Sequence, residues 1–259
     1  MGPRPDVEPS AAAGGSSACP PTGPACPLIG LAHGSRHPGV AASVDAVMAA
    51  AGALGRMPTR GAYLDLAEPD LTAVATELAA LGHTRAVVTP LLFTEAFHAR
   101  VDVPAAVRAA SDASGMELVV TDILGTGTDV QAVVLAGMDR AGIADATSVL
   151  LLAVGSSSEA ANAAVVELAR RLGRERAGTV AAAFATRSPR PVEVLDRLRP
   201  PAAVVPLFLS PGLLLDPVQA LAAERGLTMA PPLGTLAAPV LVQRYVSAVG
   251  ASLGVSALR

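Results

Sequence analysis

A chain of 259 residues that is 51% hydrophobic has room for two ordinary domains around a sizeable core. Its formal net charge of -3 and aromatic content of only 2% argue against the basic, aromatic-bearing face of a nucleic-acid binder. No uninterrupted apolar run reaches the ~18 residues that a membrane span needs.

The chain opens on a stretch rich in Pro, Ala, Gly and Ser, residues 1–26, which lacks the apolar segment of a signal peptide and is expected to be a disordered tail. Cys19 and Cys26 both fall in it, with no partner in the body of the chain. A disulfide framework is therefore not expected, and a reducing cytoplasm is the default compartment.

Leu28–Ala32 is short, apolar and unalternating, as a strand buried on both faces should be. It runs straight into His33, Gly34, Ser35, Arg36 and His37, and helical spacing follows over Val40–Leu54. The alternation continues with strands at Gly61–Leu64, Arg85–Thr89 and Glu117–Thr121 and helices at Pro69–Leu81, Val103–Ala113 and Val130–Ala141. Then come strands at Ser148–Val154, Thr179–Phe184, Ala202–Leu207 and Leu227–Ala230, with helices at Glu159–Leu172, Pro191–Leu198, Pro217–Arg225 and Ala238–Leu253. Asp102 followed by Pro104 marks a helix start: a cap oxygen, then a proline in the first turn, where its missing N–H costs nothing. Gly115 and Gly226 mark helix stops. Strands alternating with helices imply parallel sheets and right-handed crossovers.

The two halves echo each other. VVTPLLFTEAFHARVDVP (Val87–Pro104) is matched by AVVPLFLSPGLLLDP (Ala203–Pro217), and LIGLAHGSR by LLAVGSSSE (Leu151–Glu159). A weaker match joins Asp122–Val134 to Pro231–Gln243. The expected fold is α/β, with two similar domains at 27–144 and 145–259, each a small parallel β-sheet flanked by helices. All four histidines (His33, His37, His83 and His98) lie in the first half. Opposite His33 the second half offers Gly155 or Ser156, and opposite His98 it offers Leu213 or Leu214. A residue needed for packing would be kept in both copies, so only the first copy is expected to hold a site.

In open parallel sheets ligands bind beyond the carboxyl ends of the strands. In the first half those ends carry His33, Asp65, and a loop with Glu95, His98 and Arg100. Two imidazoles and a carboxylate suit a divalent first-row metal. Plainer readings stand beside this one. His33 and Glu95 also fit as ordinary loop residues, Gly34-Ser35 as a turn and helix cap, and Asp65 as the cap of the next helix. His37 is expected to face solvent, and His83 to lie on the surface at the opposite sheet edge. Arg36, Arg100, Arg187 and Arg190 are open between surface cations and fork-shaped binders of carboxylate or phosphate.

Taken together, LAHGSRHP, YLDLAEP, PLLFTEAFHARVDVP and VGSSSEAAN with VVPLFLSPGLLLDPV resemble the sirohydrochlorin chelatases of the long, two-domain type, over nearly everything outside the tail. The resemblance implies a class II chelatase with a cleft between its domains. Such an enzyme inserts a divalent metal into sirohydrochlorin without ATP: Fe²⁺, giving sirohaem, or Co²⁺ on a corrinoid route, with Ni²⁺ also compatible. It implies His33 and His98 as metal ligands. The family's acidic second-strand position, usually Glu, falls on Asp65, which is a methylene shorter. No cofactor is implied beyond the metal that is itself a substrate. Neutral imidazole fits this work, because its pKa of about 6.5 lets it hold an ion loosely and accept a pyrrole proton. Ser35, Arg36, Glu95, Arg100, Arg187 and Arg190 are the expected substrate-binding set, the guanidinium groups meeting the carboxylates on the tetrapyrrole rim. One chain carries both copies, so a cytoplasmic monomer with an internal pseudo-dimer is expected, with no nucleic-acid or membrane partner. Two readings from other classes compete: a non-catalytic two-domain binder of a small anion, and a carrier that holds metal without tetrapyrrole.

Overall fold

The computed structural model of the protein describes residues 25–95 and 101–252. The first half forms a parallel sheet from β1 (Leu28–Ala32), β2 (Thr59–Tyr63), β3 (Arg85–Pro90) and β4 (Glu117–Val120), in the order β2-β1-β3-β4. The second half repeats it with β5 (Ser148–Ala153), β6 (Val180–Phe184), β7 (Ala202–Pro206) and β8 (Thr228–Met229), in the order β6-β5-β7-β8. The connecting helices are α1 (Gly39–Gly55), α2 (Leu71–Ala80), α3 (Val103–Ser114), α4 (Thr128–Arg140), α5 (Glu159–Arg174), α6 (Pro191–Leu195), α7 (Asp216–Glu224) and α8 (Ala238–Ser252). A 3-10 turn at Gly234–Ala237, absent from the sequence-based expectation, leads into α8.

The apolar runs became strands because they can be buried on both faces. Every residue of β1 and β5, the second strand in from the edge of each sheet, is buried. Alternate residues serve different layers. Leu28, Val149 and Leu151 join one contiguous core that spans both halves, while Ile29 and Leu31, and separately Leu150 and Leu152, face smaller outer cores. Gly30 is small for a reason: a Cβ there would come within 2.3 Å of the Met48 sulfur on α1.

Two helices cross between the halves. α8 closes the second half of the chain, yet it packs on α1 and β3 of the first. α4 closes the first half and packs on α5 and β7 of the second. The Tyr245 hydroxyl on α8 donates to the Cys26 carbonyl at 2.8 Å, which ties the last helix to the start of the folded body.

Two expectations need correction here. Cys26 is not tail: it is 8% exposed and sits in the shared core, with its thiol donating to the Arg85 carbonyl. Its neighbours Pro27 and Leu28 lead into a fully buried strand, so it is drawn in with them. Asp102 does precede α3, with Pro104 in the first turn, but its side chain makes no cap bond. The Asp102 backbone is already helical (φ -74°, ψ -42°), whereas a capping residue normally has extended backbone. The side chain that does cap a first-half helix is Asp70, extended at ψ 171°, which accepts from the Ala73 N–H at 2.7 Å and starts α2.

Candidate active site

Parallel strands deliver all their carboxyl ends to one edge. β1 lies between β2 and β3, so His33, the residue after β1, is flanked by the segments leaving both neighbours. The ladder extends one step past each strand. Leu64 N–H donates to the Ala32 carbonyl at 2.9 Å, Asp65 N–H to the His33 carbonyl at 3.0 Å, and Leu91 N–H to the Leu31 carbonyl at 2.8 Å. Gly34 makes this close approach possible. Its φ is +96°, and a Cβ there would fall 1.7 Å from the Asp65 carbonyl oxygen.

The loop then turns on its own side chains. Ser35 Oγ accepts from the His37 N–H, and His37 Nδ1 accepts from the Gly39 N–H, both at 3.1 Å. His37 is half-buried, and the bond to its Nδ1 holds the ring beside the first turn of α1, where a helix has unsatisfied N–H groups. Asp65 does not cap α2, the role Asp70 takes. It is exposed, and its Oδ1 accepts from the Leu66 N–H at 2.7 Å. His83 lies on the α2–β3 connection, at the opposite edge, as expected. His98 and Arg100 lie outside the described residues. Among the described residues no group of three His, Cys, Asp or Glu side chains forms a metal-ligand set.

The second half reproduces the backbone and changes the chemistry. Ala185 N–H donates to the Ala153 carbonyl at 2.8 Å, Thr186 N–H to the Val154 carbonyl at 3.0 Å, and Leu207 N–H to the Leu152 carbonyl at 2.7 Å. Gly155 repeats the positive φ of Gly34 at +89°. Ser156 Oγ accepts from the Ser158 N–H at 3.1 Å, as Ser35 does from His37. These bonds fix the equivalences: Val154 stands where the first half has His33, and Thr186 where it has Asp65. The sequence match of His33 to Gly155 or Ser156 was off by one or two positions, because only the left-handed glycine marks the register between strand and loop.

Two cavities open beside this edge. One of about 520 Å³ runs between α3 and the end of β4 and is lined by Glu95, Arg108, Thr121 and Asp122 among others. The other, about 350 Å³, lies where the halves meet: Phe93, Thr94 and Glu95 face Ala160, Ala161 and Ala164 of α5. Glu95 is exposed and borders both. Arg36 is exposed. Arg190 is exposed and bonds the Ala185 carbonyl. Arg187 is half-buried, and its Nη1 is buried with no hydrogen-bond partner in the structure.

The β4–α4 loop, which lines the smaller cavity, is held by guanidinium groups that sequence reasoning did not single out. Arg244 of α8 donates to the Ile123 carbonyl at 3.1 Å and the Leu124 carbonyl at 2.8 Å, and pairs with Asp129 at 2.8 Å. Arg171 of α5 bonds the Thr126 carbonyl and donates to Gln131 at 2.8 Å. The repeat at Asp122–Val134 flags this loop, but nothing in the sequence names partners so distant. At the end of β2, burial and the nearby Asp45 carboxylate raise the Tyr63 phenol above its ordinary pKa.

The fold is that of a duplicated, two-lobed α/β protein in which the carboxyl edge of the first sheet carries imidazole and carboxylate while the second carries valine and threonine at the same positions. The CbiX family model matches residues 27–141 and 148–247. The chain belongs to the CbiX family.

Among solved structures, SirB from Bacillus subtilis with Fe3+ is similar at 22% identity and TM-score 0.71, covering 89% of this chain and 98% of that one. The sirohydrochlorin chelatase SirB from Bacillus subtilis subspecies spizizenii, in complex with cobalt, is also similar, at 22% identity and TM-score 0.67, covering 88% and 95%. CbiX, the terminal enzyme for biosynthesis of siroheme in denitrifying bacteria, is 19% identical at TM-score 0.63, covering 86% and 99%. At these identities the likeness is one of fold. No curated protein matches the sequence.

Proposed function

We propose that this chain is a sirohydrochlorin chelatase, inserting a divalent metal into the tetrapyrrole without ATP. The observation that carries the reading is the placement of His33 at the end of β1, between Asp65 and the segment that runs through Glu95, in a chain of the CbiX family.

The reaction exchanges one M²⁺ for two pyrrole N–H protons and involves no change of oxidation state. His33 is half-buried at the end of β1, and its imidazole is read as one ligand of the incoming ion. With His98 as the second ligand, a pair of neutral nitrogens holds the ion without the grip of thiolates. As the ion passes to the ring, the freed imidazoles accept the pyrrole protons, a general-base role that imidazole commonly fills. Asp65 and Glu95, both exposed, assist in carrying those protons to solvent. Ser35, Arg36, Arg100, Arg187 and Arg190 orient the rim carboxylates.

The metal is read as Fe²⁺, yielding sirohaem. Co²⁺ is the second reading, favoured by the similar SirB structure in complex with cobalt. The two lobes, 27–144 and 145–259, complete the cleft within one chain, so the working form is read as a cytoplasmic monomer. Among the described residues no helix is long and apolar enough to cross a membrane.

The test is absorbance of purified protein with sirohydrochlorin and Fe²⁺, Co²⁺ or Ni²⁺ in the absence of oxygen. Wild type shifts the tetrapyrrole spectrum, and folded His33→Ala inserts metal at least ~100-fold more slowly. Tetrapyrrole binding without insertion by any metal would leave a binding protein. Metal binding that never affects the tetrapyrrole would leave a carrier.

A further inference from the structure

The loop that leaves β2 carries a strain that its own packing does not explain. Among the described residues, Arg56 and Leu66 are the non-glycine residues with positive φ, at +53° and +61°. Arg56 has an ordinary reason: it ends α1, with its N–H bonded to the Gly52 carbonyl. Leu66 ends no helix, and it is 45% exposed, so burial of its side chain does not offset the conformation. Left-handed backbone crowds the Cβ of every residue but glycine, and Asn and Asp escape part of the cost. Such strain persists only where the surroundings impose it.

Here the surroundings are the end of β1. The Asp65 N–H donates to the His33 carbonyl at 3.0 Å, and the Asp65 carbonyl oxygen lies so near Gly34 that a Cβ there would stand 1.7 Å away. The planar peptide between Asp65 and Leu66 is thereby fixed with its carbonyl toward Gly34. Its N–H donates to Asp65 Oδ1 at 2.7 Å, a short bond of the kind a carboxylate makes. The chain is pinned again just beyond, where Pro69 accepts from the Tyr63 N–H at 3.0 Å and Asp70 caps α2. With both ends held, Leu66 reaches negative φ only by rotating that peptide, which would turn the N–H away from the carboxylate and the carbonyl away from Gly34. The second lobe lacks this device. Thr186 stands at the Asp65 position with its Oγ1 donating to the Val154 carbonyl at 2.8 Å. The atoms nearest a Cβ placed on Gly155 belong to side chains, and Arg187, at the Leu66 position, is not left-handed. The strain is present in the copy that carries His33 and absent from the other.

We propose that Leu66 is a positioning residue for Asp65. Its left-handed backbone holds the peptide N–H on Oδ1, so the carboxylate keeps one orientation at the end of β2, next to His33. Oδ2, on an exposed side chain, is free of partners among the described residues. A proton passed from the imidazolium lands on Oδ2 and leaves from there to water, which restores the carboxylate. The proposal rests on the chelatase reading and deepens it: the rate of insertion depends on a backbone angle at a residue whose own side chain does no chemistry.

The test is steady-state insertion of Co²⁺ into sirohydrochlorin by the full-length protein. Leu66→Val keeps an exposed aliphatic group but resists left-handed backbone, because a branched Cβ crowds it most. It is expected to lower kcat about tenfold with KM for sirohydrochlorin unchanged. Leu66→Asn discards the aliphatic group yet tolerates the conformation. It is expected to recover most of that rate and to melt at or above the wild-type temperature. Asp65→Asn sets the scale, and Leu66→Val added to it is expected to slow insertion no further, since the residue acts through the carboxylate. Circular dichroism checks that the valine variant folds, and Leu66→Thr, branched at the same atom but polar, replaces it if it does not. The proposal falls if the branched variant inserts metal as fast as wild type, if it raises KM alone, or if Leu66→Asn is equally slow. It falls too if the branched residue slows the Asp65→Asn protein by a further tenfold. Wild type that inserts no metal would instead overturn the chelatase reading, which keeps the two failures distinct.

Discussion

At the scale of single residues, the site depends on backbone freedom as much as on functional groups. Gly34 and Gly155 take the same left-handed turn in both lobes, and each admits a neighbour that a side chain would displace: the Asp65 carbonyl in one, the Phe184 and Arg187 side chains in the other. The matching backbone then carries His33 in one lobe and Val154 in the other, so the side-chain chemistry changed without the fold moving. Tyr63 gives a pH-dependent consequence. Burial first, and the Asp45 carboxylate second, hold its phenol protonated beyond the ordinary range. An acid with a raised folded-state pKa contributes stability that is fully present below the unfolded value of about 10, and loses it as pH rises toward the folded value. Wild type is therefore expected to lose stability as pH rises past about 10, and Tyr63→Phe to show a shallower loss, in urea unfolding followed by circular dichroism.

Among elements, the decisive feature is the exchange of α4 and α8. Each helix packs against the other lobe, and the β4–α4 loop is held from α8 by Arg244 and from α5 by Arg171. Arg244 reaches that loop from α8 with three partners, and side-chain exposures of 18% and 22% for Arg244 and Asp129 make theirs a largely desolvated pair. Removing one member of such a group leaves carbonyls and a carboxylate short of donors. Arg244→Ala is expected to cost about 2–3 kcal/mol in chemical denaturation. Arg244→Lys is expected to recover only the ion pair, because an ammonium cannot span two carbonyls and a carboxylate as the planar fork does. By contrast the Arg60–Glu77 pair, with side chains 41% and 52% exposed, is expected to contribute under ~1 kcal/mol.

For the whole molecule, the exchange makes two lobes into one cooperative body. The main core runs from Leu28 and Met48 through Leu151 and Leu168 to Leu241, without a break at the junction of the repeats. Urea unfolding is expected to be a single transition, coincident by circular dichroism and by gel filtration, rather than two. Residues 27–144 expressed alone are expected to stay unfolded or to aggregate, because α1 and β3 would lose the cover of α8 and α4 would have no sheet to pack on. Two separate transitions, or a soluble and folded first half, would contradict this picture.

The local level of this structure was legible in the sequence. Apolar runs of strand length, helical spacing between them and the internal repeat sufficed for a duplicated parallel α/β fold, because burial on both faces and parallel pairing leave few alternatives, and the crowding of histidine into one copy pointed to the first lobe's edge as the place to look for a site. Boundaries near caps were less legible: Asp70 rather than Asp65 starts α2, and Asp102 caps nothing, since a cap depends on the backbone angle at the residue and not on its identity alone. Three things were decided only in three dimensions. The true counterpart of His33 emerged from ladder bonds that end at Val154. The anchors of the β4–α4 loop, Arg171 and Arg244, come from helices 45 and 120 residues away. The membership of α4 and α8 followed from which apolar surface each could cover once both sheets had formed. Periodicity can say that a helix has a face to bury, but not which lobe will bury it.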